Sequence, residues 1–198
     1  MTNDVKNYPE LRAYLEGSNE SDITRENLKR ILEKQLMDYP SDYPLCLLDV
    51  GSSDGEMSFP LVQWLKEKFN GFRYTAVEPE KPAFERLLER IKKANVDYTE
   101  THNLTVEEYL NGVAKEKSEV FDLILFSQSF YHMPKNEWDW IITDTTRLLK
   151  PKGFCLIILD SHQGPAYELK DMITQGRVDT LEFGDLYSAE DMESFLSE

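Results

Sequence analysis

The chain has only two cysteines and three histidines in its 198 residues, and a shortage of positive charge, with 22 Lys+Arg against 37 Asp+Glu. It also has no apolar run approaching the roughly 20 residues that span a bilayer. Each shortage excludes something. Cys46 and Cys155 both fall inside apolar stretches that read as buried strands, where a thiol serves as a small apolar side chain, so no disulfide framework is expected and a reducing cytoplasm fits. His102, His132 and His162 have no Cys, Asp or His partner at a ligand spacing such as H-E-x-x-H, which argues against zinc. The formal net charge of -15 repels phosphate backbones, so nucleic acid is not an expected substrate. An N-P-P-[YFW] segment is missing as well. The start, Met1-Thr2-Asn3-Asp4-Val5-Lys6, has no positive segment followed by an apolar one, and no secretory signal is expected.

What is present is an alternation of strand and helix periodicities from about residue 45 onward, the pattern of a parallel sheet covered by helices on both faces. Strands are expected at 45–50, 72–78, 96–101, 121–127 and 154–160. Between them, Phe84, Leu87, Leu88 and Ile91 form one apolar stripe at helical spacing, and Trp138, Ile141, Ile142, Leu148 and Leu149 form another. Pro82 and Pro134 mark helix starts, and Lys150-Pro151-Lys152-Gly153 stops the second helix. Residues 1–44 read as a helical cover in the same domain: a short helix near Glu10–Glu16, then a longer one carrying Leu28, Ile31, Leu32, Leu36 and Tyr39. At the other end, Ser188-Ala189-Glu190-Asp191 has the form of a capping box, with Met192, Phe195 and Leu196 at the spacing of an apolar stripe. If the strand at 154–160 is the last, it lies at a sheet edge, and a further strand pair is expected to be missing or supplied by a partner chain.

The segment with the most chemistry is Leu47-Leu48-Asp49-Val50-Gly51-Ser52-Ser53-Asp54-Gly55-Glu56, followed by Tyr74-Thr75-Ala76-Val77-Glu78-Pro79. A buried strand enters a glycine turn that opens a helix, and the second strand ends in a carboxylate able to accept hydrogen bonds from both hydroxyls of a ribose. That is a nucleoside-cofactor arrangement. A dinucleotide G-x-G-x-x-G is absent, with Ser53 where an intervening glycine would fall, which disfavours NAD. A turn without a ligand and a surface acid are the plainer readings. Gln128 stands at the carboxyl end of the strand 121–127, where open α/β sheets bind ligands. Glu20 could hold a cationic substrate or simply cap the helix that follows it, and Phe130 and Tyr131 could line a pocket or pack in the core. His132, beside Tyr131, is the one histidine placed to act as a general base.

These residues resemble the class I S-adenosylmethionine-dependent methyltransferases. The resemblance rests on Asp49-Val50-Gly51, Glu78 at the second strand's end, Phe121-Asp122-Leu123-Ile124-Leu125-Phe126, and Leu148-Leu149-Lys150-Pro151-Lys152-Gly153-Phe154. It implies a Rossmann-like α/β fold and S-adenosyl-L-methionine as cofactor, held by Asp49, Gly51, Ser53, Gly55, Glu78, Asn103, Leu104 and Ser127. Gly51 would face the methionine part, Glu78 the ribose, and Asn103 and Leu104 the adenine. Ser53 departs from the family's middle glycine. Within the class, Tyr8-Pro9-Glu10, Ser18-Asn19-Glu20, Val77-Glu78-Pro79 and Gln128-Ser129-Phe130-Tyr131-His132 are similar to histamine N-methyltransferase and its microbial relatives. That likeness implies a small amine substrate, with Tyr8, Glu20, Gln128 and Tyr131 binding it and Gln128, Tyr131 and His132 at the reacting centre. His132 replaces the second tyrosine of the family's pair, and the family's C-terminal strand pair with its asparagine has no counterpart. Other small-molecule O- or carboxyl-methyltransferases, and a non-catalytic cofactor-binding subunit completed by a partner, are the alternatives. The chain is expected to act as a monomer or dimer.

Overall fold

A computed structural model describes residues 19–39, 43–94, 96, 99–163 and 188–197. The chain divides into two compact units, Met1–Tyr39 with Gln163–Leu181, and Pro40–His162 with Glu182–Glu198. In the first, helix α1 (Glu20–Gln35) and the residue that caps its end bury Leu28, Leu32 and Leu36, one residue per turn. Ile31, expected on this stripe, is 45% exposed, because it lies off that line. The short helix expected near Glu10–Glu16 lies outside the described residues.

The second unit holds five parallel strands: β1 (Leu45–Val50), β2 (Phe72–Val77), β3 (Thr99–His102), β4 (Phe121–Ser127) and β5 (Leu149–Ile158), in the order β3-β2-β1-β4-β5. The helices between them are α2 (Phe59–Lys68), α3 (Lys81–Ala94), α4 (Val106–Asn111) and α5 (Trp138–Thr146), and α6 (Ala189–Leu196) follows. The expected Rossmann-like sheet is present. β1 is buried along its whole length and takes the centre, as a strand apolar but for Asp49 should in a parallel sheet. Cys46, Leu48 and Val50 pack with Tyr109, Leu110, Trp138, Ile141 and Met192 of α4, α5 and α6. The other face carries Tyr74, whose ring meets Phe59 of α2 edge to face at 6.1 Å.

β5 begins at Leu149, five residues before the expected start, so Leu149 belongs to the strand and not to the preceding helix. Its ladder opens with Phe121↔Leu149, breaks register, and resumes at Leu123↔Phe154, which places Lys150 to Gly153 in a bulge. β3 is shorter than expected, and Leu88 on α3 is 39% exposed while Ala83 and Leu87 are buried. Among the described residues β5 is an edge, and its residues are half-buried or exposed throughout.

Two further devices fix the carboxyl ends of β4 and β5. Edge-to-face rings run from Phe126 to Phe130 at 4.9 Å, to Trp138 at 5.4 Å, and on to Phe195 of α6 at 5.6 Å, each pair contributing about 0.5–1.5 kcal/mol beyond burial. The capping box read from Ser188 and Asp191 starts α6, and Glu190 accepts hydrogen bonds from Ser161 Oγ and the His162 N–H. The Ser161 hydrogen bond, first among the causes, holds the Glu190 carboxyl down at about 2. At the opposite end of the sheet, buried Asp122 accepts from the Cys46 N–H and the Lys150 ammonium, both at 2.8 Å. Both cysteines are free, Cys46 buried and Cys155 half-buried.

Candidate cofactor and acceptor site

After β1 the chain turns through Gly51 at φ +69°, Ser53 at +49° and Gly55 at +77° before α2 begins. The glycines answer to packing. A Cβ on Gly51 would lie 2.4 Å from Ser129 Cβ, and one on Gly55 would lie 2.8 Å from Leu87 Cδ1. Gly51 therefore lets the turn close against the loop after β4, where Ser129 Oγ donates to the Val50 carbonyl at 2.8 Å. Ser53 sits in the left-handed region, which explains why a glycine is usual at such a position.

Glu78, immediately after β2, is 6% exposed. Its Oε2 accepts from the Ser53 N–H at 2.7 Å and its Oε1 from the Glu80 N–H at 2.8 Å. Burial raises its pKa, and these two N–H bonds oppose the rise. Each carboxylate oxygen keeps a lone pair, so two hydroxyls can still be accepted. Asn103 uses its amide nitrogen to donate to the Glu78 and Pro79 carbonyls, at 2.8 and 2.9 Å. It thereby braces the acidic loop, a role its position alone did not suggest. Leu104 packs on the core beside α4. Asp54, which sequence reasoning passed over, is bracketed by Arg86 and Arg90 of α3 at 3.6 and 3.9 Å.

Asp49 is 1% exposed, receives the Tyr74 hydroxyl at 2.8 Å, and has its pKa raised by burial to about 6. Its Oδ1 accepts no well-formed hydrogen bond among the described residues, although the Ser58 hydroxyl stands near enough to favour the charged form, and the buried Ser127 Oγ has no partner among them. Asp49 pairs with Leu125 across the ladder, and Ser127 lies two residues further along β4, so both side chains leave the same face of the sheet. A closed turn, a carboxylate with lone pairs to spare and two orphaned polar atoms on one face suit a nucleoside carrying a polar tail.

Gln128 follows directly. It adopts φ +54°, its N–H donates to the Ile158 carbonyl at 2.9 Å, and its Nε2 donates to Asp160 Oδ1 at 2.7 Å. Its Oε1 is buried and without a partner among the described residues. Tyr131 is half-buried and His132 exposed in the short 3-10 helix Phe130–His132, their rings 4.3 Å apart. His102 packs against Tyr109 at 5.2 Å, and His162 pairs with Glu190 at 3.0 Å. Among the described residues no group of His, Cys, Asp and Glu is arranged to hold a metal ion. Asp49, Gly51, Ser53, Glu78, Ser127 and Gln128 thus gather at the carboxyl ends of β1, β2 and β4. Tyr8 lies outside the described residues. Glu20 opens α1 in the other unit, and its side chain likewise lies outside the description. Asp160 was missed, although an acid just past an apolar run is the same signal that marked Glu78.

A family model described as "Methyltransferase domain" matches residues 47–153, more than half of the chain. This chain belongs to that methyltransferase family. No curated protein matches its sequence. Among solved structures it resembles a SAM-dependent methyltransferase of Leishmania major, with TM-score 0.56 and 16% identity over 75% of this chain, and it spans only 55% of that protein. It also resembles magnesium protoporphyrin IX methyltransferase of Synechocystis with bound SAH, with TM-score 0.58 and 11% identity over 88% of this chain and 71% of the other. A third is the PH0226 protein of Pyrococcus horikoshii, with TM-score 0.54 and 22% identity over 84% and 69%. At such identities the structures speak to the fold, which is that of the class I methyltransferases. The expectation of S-adenosylmethionine as cofactor agrees with this membership. No helix among the described residues is long and apolar enough to cross a membrane.

Proposed function

We propose that this methyltransferase moves a methyl group from S-adenosylmethionine to a nitrogen of a small amine, an imidazole-bearing one being the first candidate. The cofactor supplies a methyl on a sulfonium, so that as the acceptor's lone pair forms the new N–C bond the C–S bond breaks and sulfur keeps its electron pair. The chain's own residues have to align and dehydrate. Glu78, fixed by the N–H groups of Ser53 and Glu80, would hold the ribose, and Asp49 and Ser127 would meet the polar tail. Gln128 would hold the acceptor, with Tyr131 beside it. His132, exposed on the same short helix, would pass the proton released from nitrogen to solvent.

The observation that carries the reading is the orphaned Oε1 of Gln128 at the carboxyl end of β4, next to the cofactor turn. Glu20 and Tyr8 enter as further substrate contacts on the strength of the resemblance alone. We place the protein in the cytoplasm, consistent with its free thiols, and as a monomer or dimer, with β5, an edge among the described residues, as the strand a partner chain would cover. A small-molecule O-methyltransferase is the second reading, since a phenol also donates to an amide oxygen.

The test has two stages. Thermal unfolding should shift upward with S-adenosylmethionine or S-adenosylhomocysteine and not with NADH. Labelled methyl should then pass to members of a panel of amines and imidazoles in preference to phenols and carboxylates. A shift with NADH alone overturns the cofactor, and transfer only to phenols or carboxylates overturns the nitrogen acceptor.

A further inference from the structure

Three observations meet at the end of β4. Gln128 has a left-handed backbone, a conformation that is unfavourable for a non-glycine residue and persists only where its surroundings impose it. Its amide nitrogen is fixed on Asp160 Oδ1 at 2.7 Å, and its amide oxygen is buried without a donor among the described residues. A carboxylate can only accept, so Asp160 decides which end of the amide faces it. The nitrogen is drawn to Asp160, and the oxygen is turned the other way.

We propose that Asp160 is a positioning residue that locks the Gln128 amide with its oxygen toward the methyl acceptor, so that the site selects acceptors bearing an N–H or O–H donor. This rests on the reading that the end of β4 receives the acceptor. Left free, a glutamine amide offers a donor or an acceptor by flipping and discriminates poorly. Held by Asp160 it offers an acceptor, and an incoming molecule that brings no donor leaves Oε1 buried and unpaired. For an imidazole this sorts the two nitrogens: the N–H rests on Oε1, and the nitrogen with the lone pair is left for the methyl. Asp160 itself is held in place where β5 meets α6, since its carbonyl accepts from the Ala189 N–H at 3.0 Å and its neighbours Ser161 and His162 donate to Glu190.

The test uses the protein loaded with S-adenosylhomocysteine, at pH 8.5, with imidazole and 1-methylimidazole titrated separately by ligand-observed NMR. At that pH the two neutral rings differ in one N–H. Wild type should bind imidazole at least about fivefold more tightly, the low end of what an unpaired buried acceptor costs. Asp160→Ala should bring the ratio to about one with the cofactor-induced thermal shift unchanged. Asp160→Asn, which keeps an oxygen able to accept from Nε2, should restore more than half of the preference. Equal binding of the two rings by wild type, failure of both to bind, or an unchanged ratio in Asp160→Ala would overturn the inference. Methyl transfer is read separately. No transfer to any nitrogen acceptor, with the imidazole preference intact, would overturn the proposed function and leave the role of Asp160 standing.

Discussion

The two halves of the site are built on opposite plans. On the cofactor side, around Gly51, Ser53 and Glu78, the acid and the turn are held by backbone groups: Glu78 accepts from two N–H donors and the turn donates to the Val77 carbonyl. On the acceptor side the contacts are side chains, Gln128 and Asp160, and one buried acceptor is left over. A turn held by backbone contacts can be rebuilt from many sequences. A half made of side chains changes its ligand with a single substitution, which is how one methyltransferase fold serves many substrates.

The comparison breaks most completely at Gly51, where the two halves touch. Gly51→Ala puts a methyl 2.4 Å from Ser129 Cβ and a side chain at φ +69°, so a loss of about 3 kcal/mol is expected in chemical denaturation, with the cofactor shift lost as well. Unchanged stability would mean that the loop after β4 is not pressed against the turn.

The cofactor side is sharpened by pH. Because burial raises the Asp49 pKa from 3.8 to about 6, the folded protein keeps this proton over a range where the unfolded chain has released it. Asp49 therefore withdraws stability as pH rises from about 4 to 6, by up to about 3 kcal/mol, and the penalty is complete above 6. Asp49→Asn, which still accepts from Tyr74, should gain on wild type across that interval in urea unfolding. Parallel pH profiles would show that Asp49 is not buried as a lone acid.

Asp122 serves as the control, at the far end of the sheet. Asp122→Ala strands the Cys46 N–H and the Lys150 ammonium, so about 1–3 kcal/mol of stability should go while affinity for S-adenosylhomocysteine, measured by calorimetry, stays within about twofold. The smallest effect is expected at Ser53. Ser53→Gly relieves the left-handed serine and keeps the N–H to Glu78, for a gain of up to about 1 kcal/mol in denaturation midpoint terms, with cofactor binding retained.

Much of this was legible in the residues. β1 and β4 fall where their apolar runs predict, since a strand buried on both faces leaves a continuous signal, and Ser188 with Asp191 marks the start of α6. The start of β5 was hidden, because Lys150 to Gly153 have the composition of a helix stop and only the pairing of Leu149 with Phe121 reveals a bulged strand. The turn of the proposed cofactor half and the acid that meets it stand out in the glycine spacing and in Glu78. The acceptor half could be read only to Gln128: which end of an amide is fixed depends on a partner 32 residues away, and no local pattern encodes that. Asn103, read as a neighbour of the adenine, also has a role that no local pattern showed, since its amide nitrogen braces two carbonyls of its own chain.

The row of rings from Phe126 through Phe130 and Trp138 to Phe195 has a mechanical consequence. Phe130 stands two residues after Gln128, so the loop that presents the acceptor side inherits its stiffness from a helix some 65 residues downstream. A smaller side chain at Phe195 removes the last ring contact of that row, so the loop after β4 is braced from one side fewer.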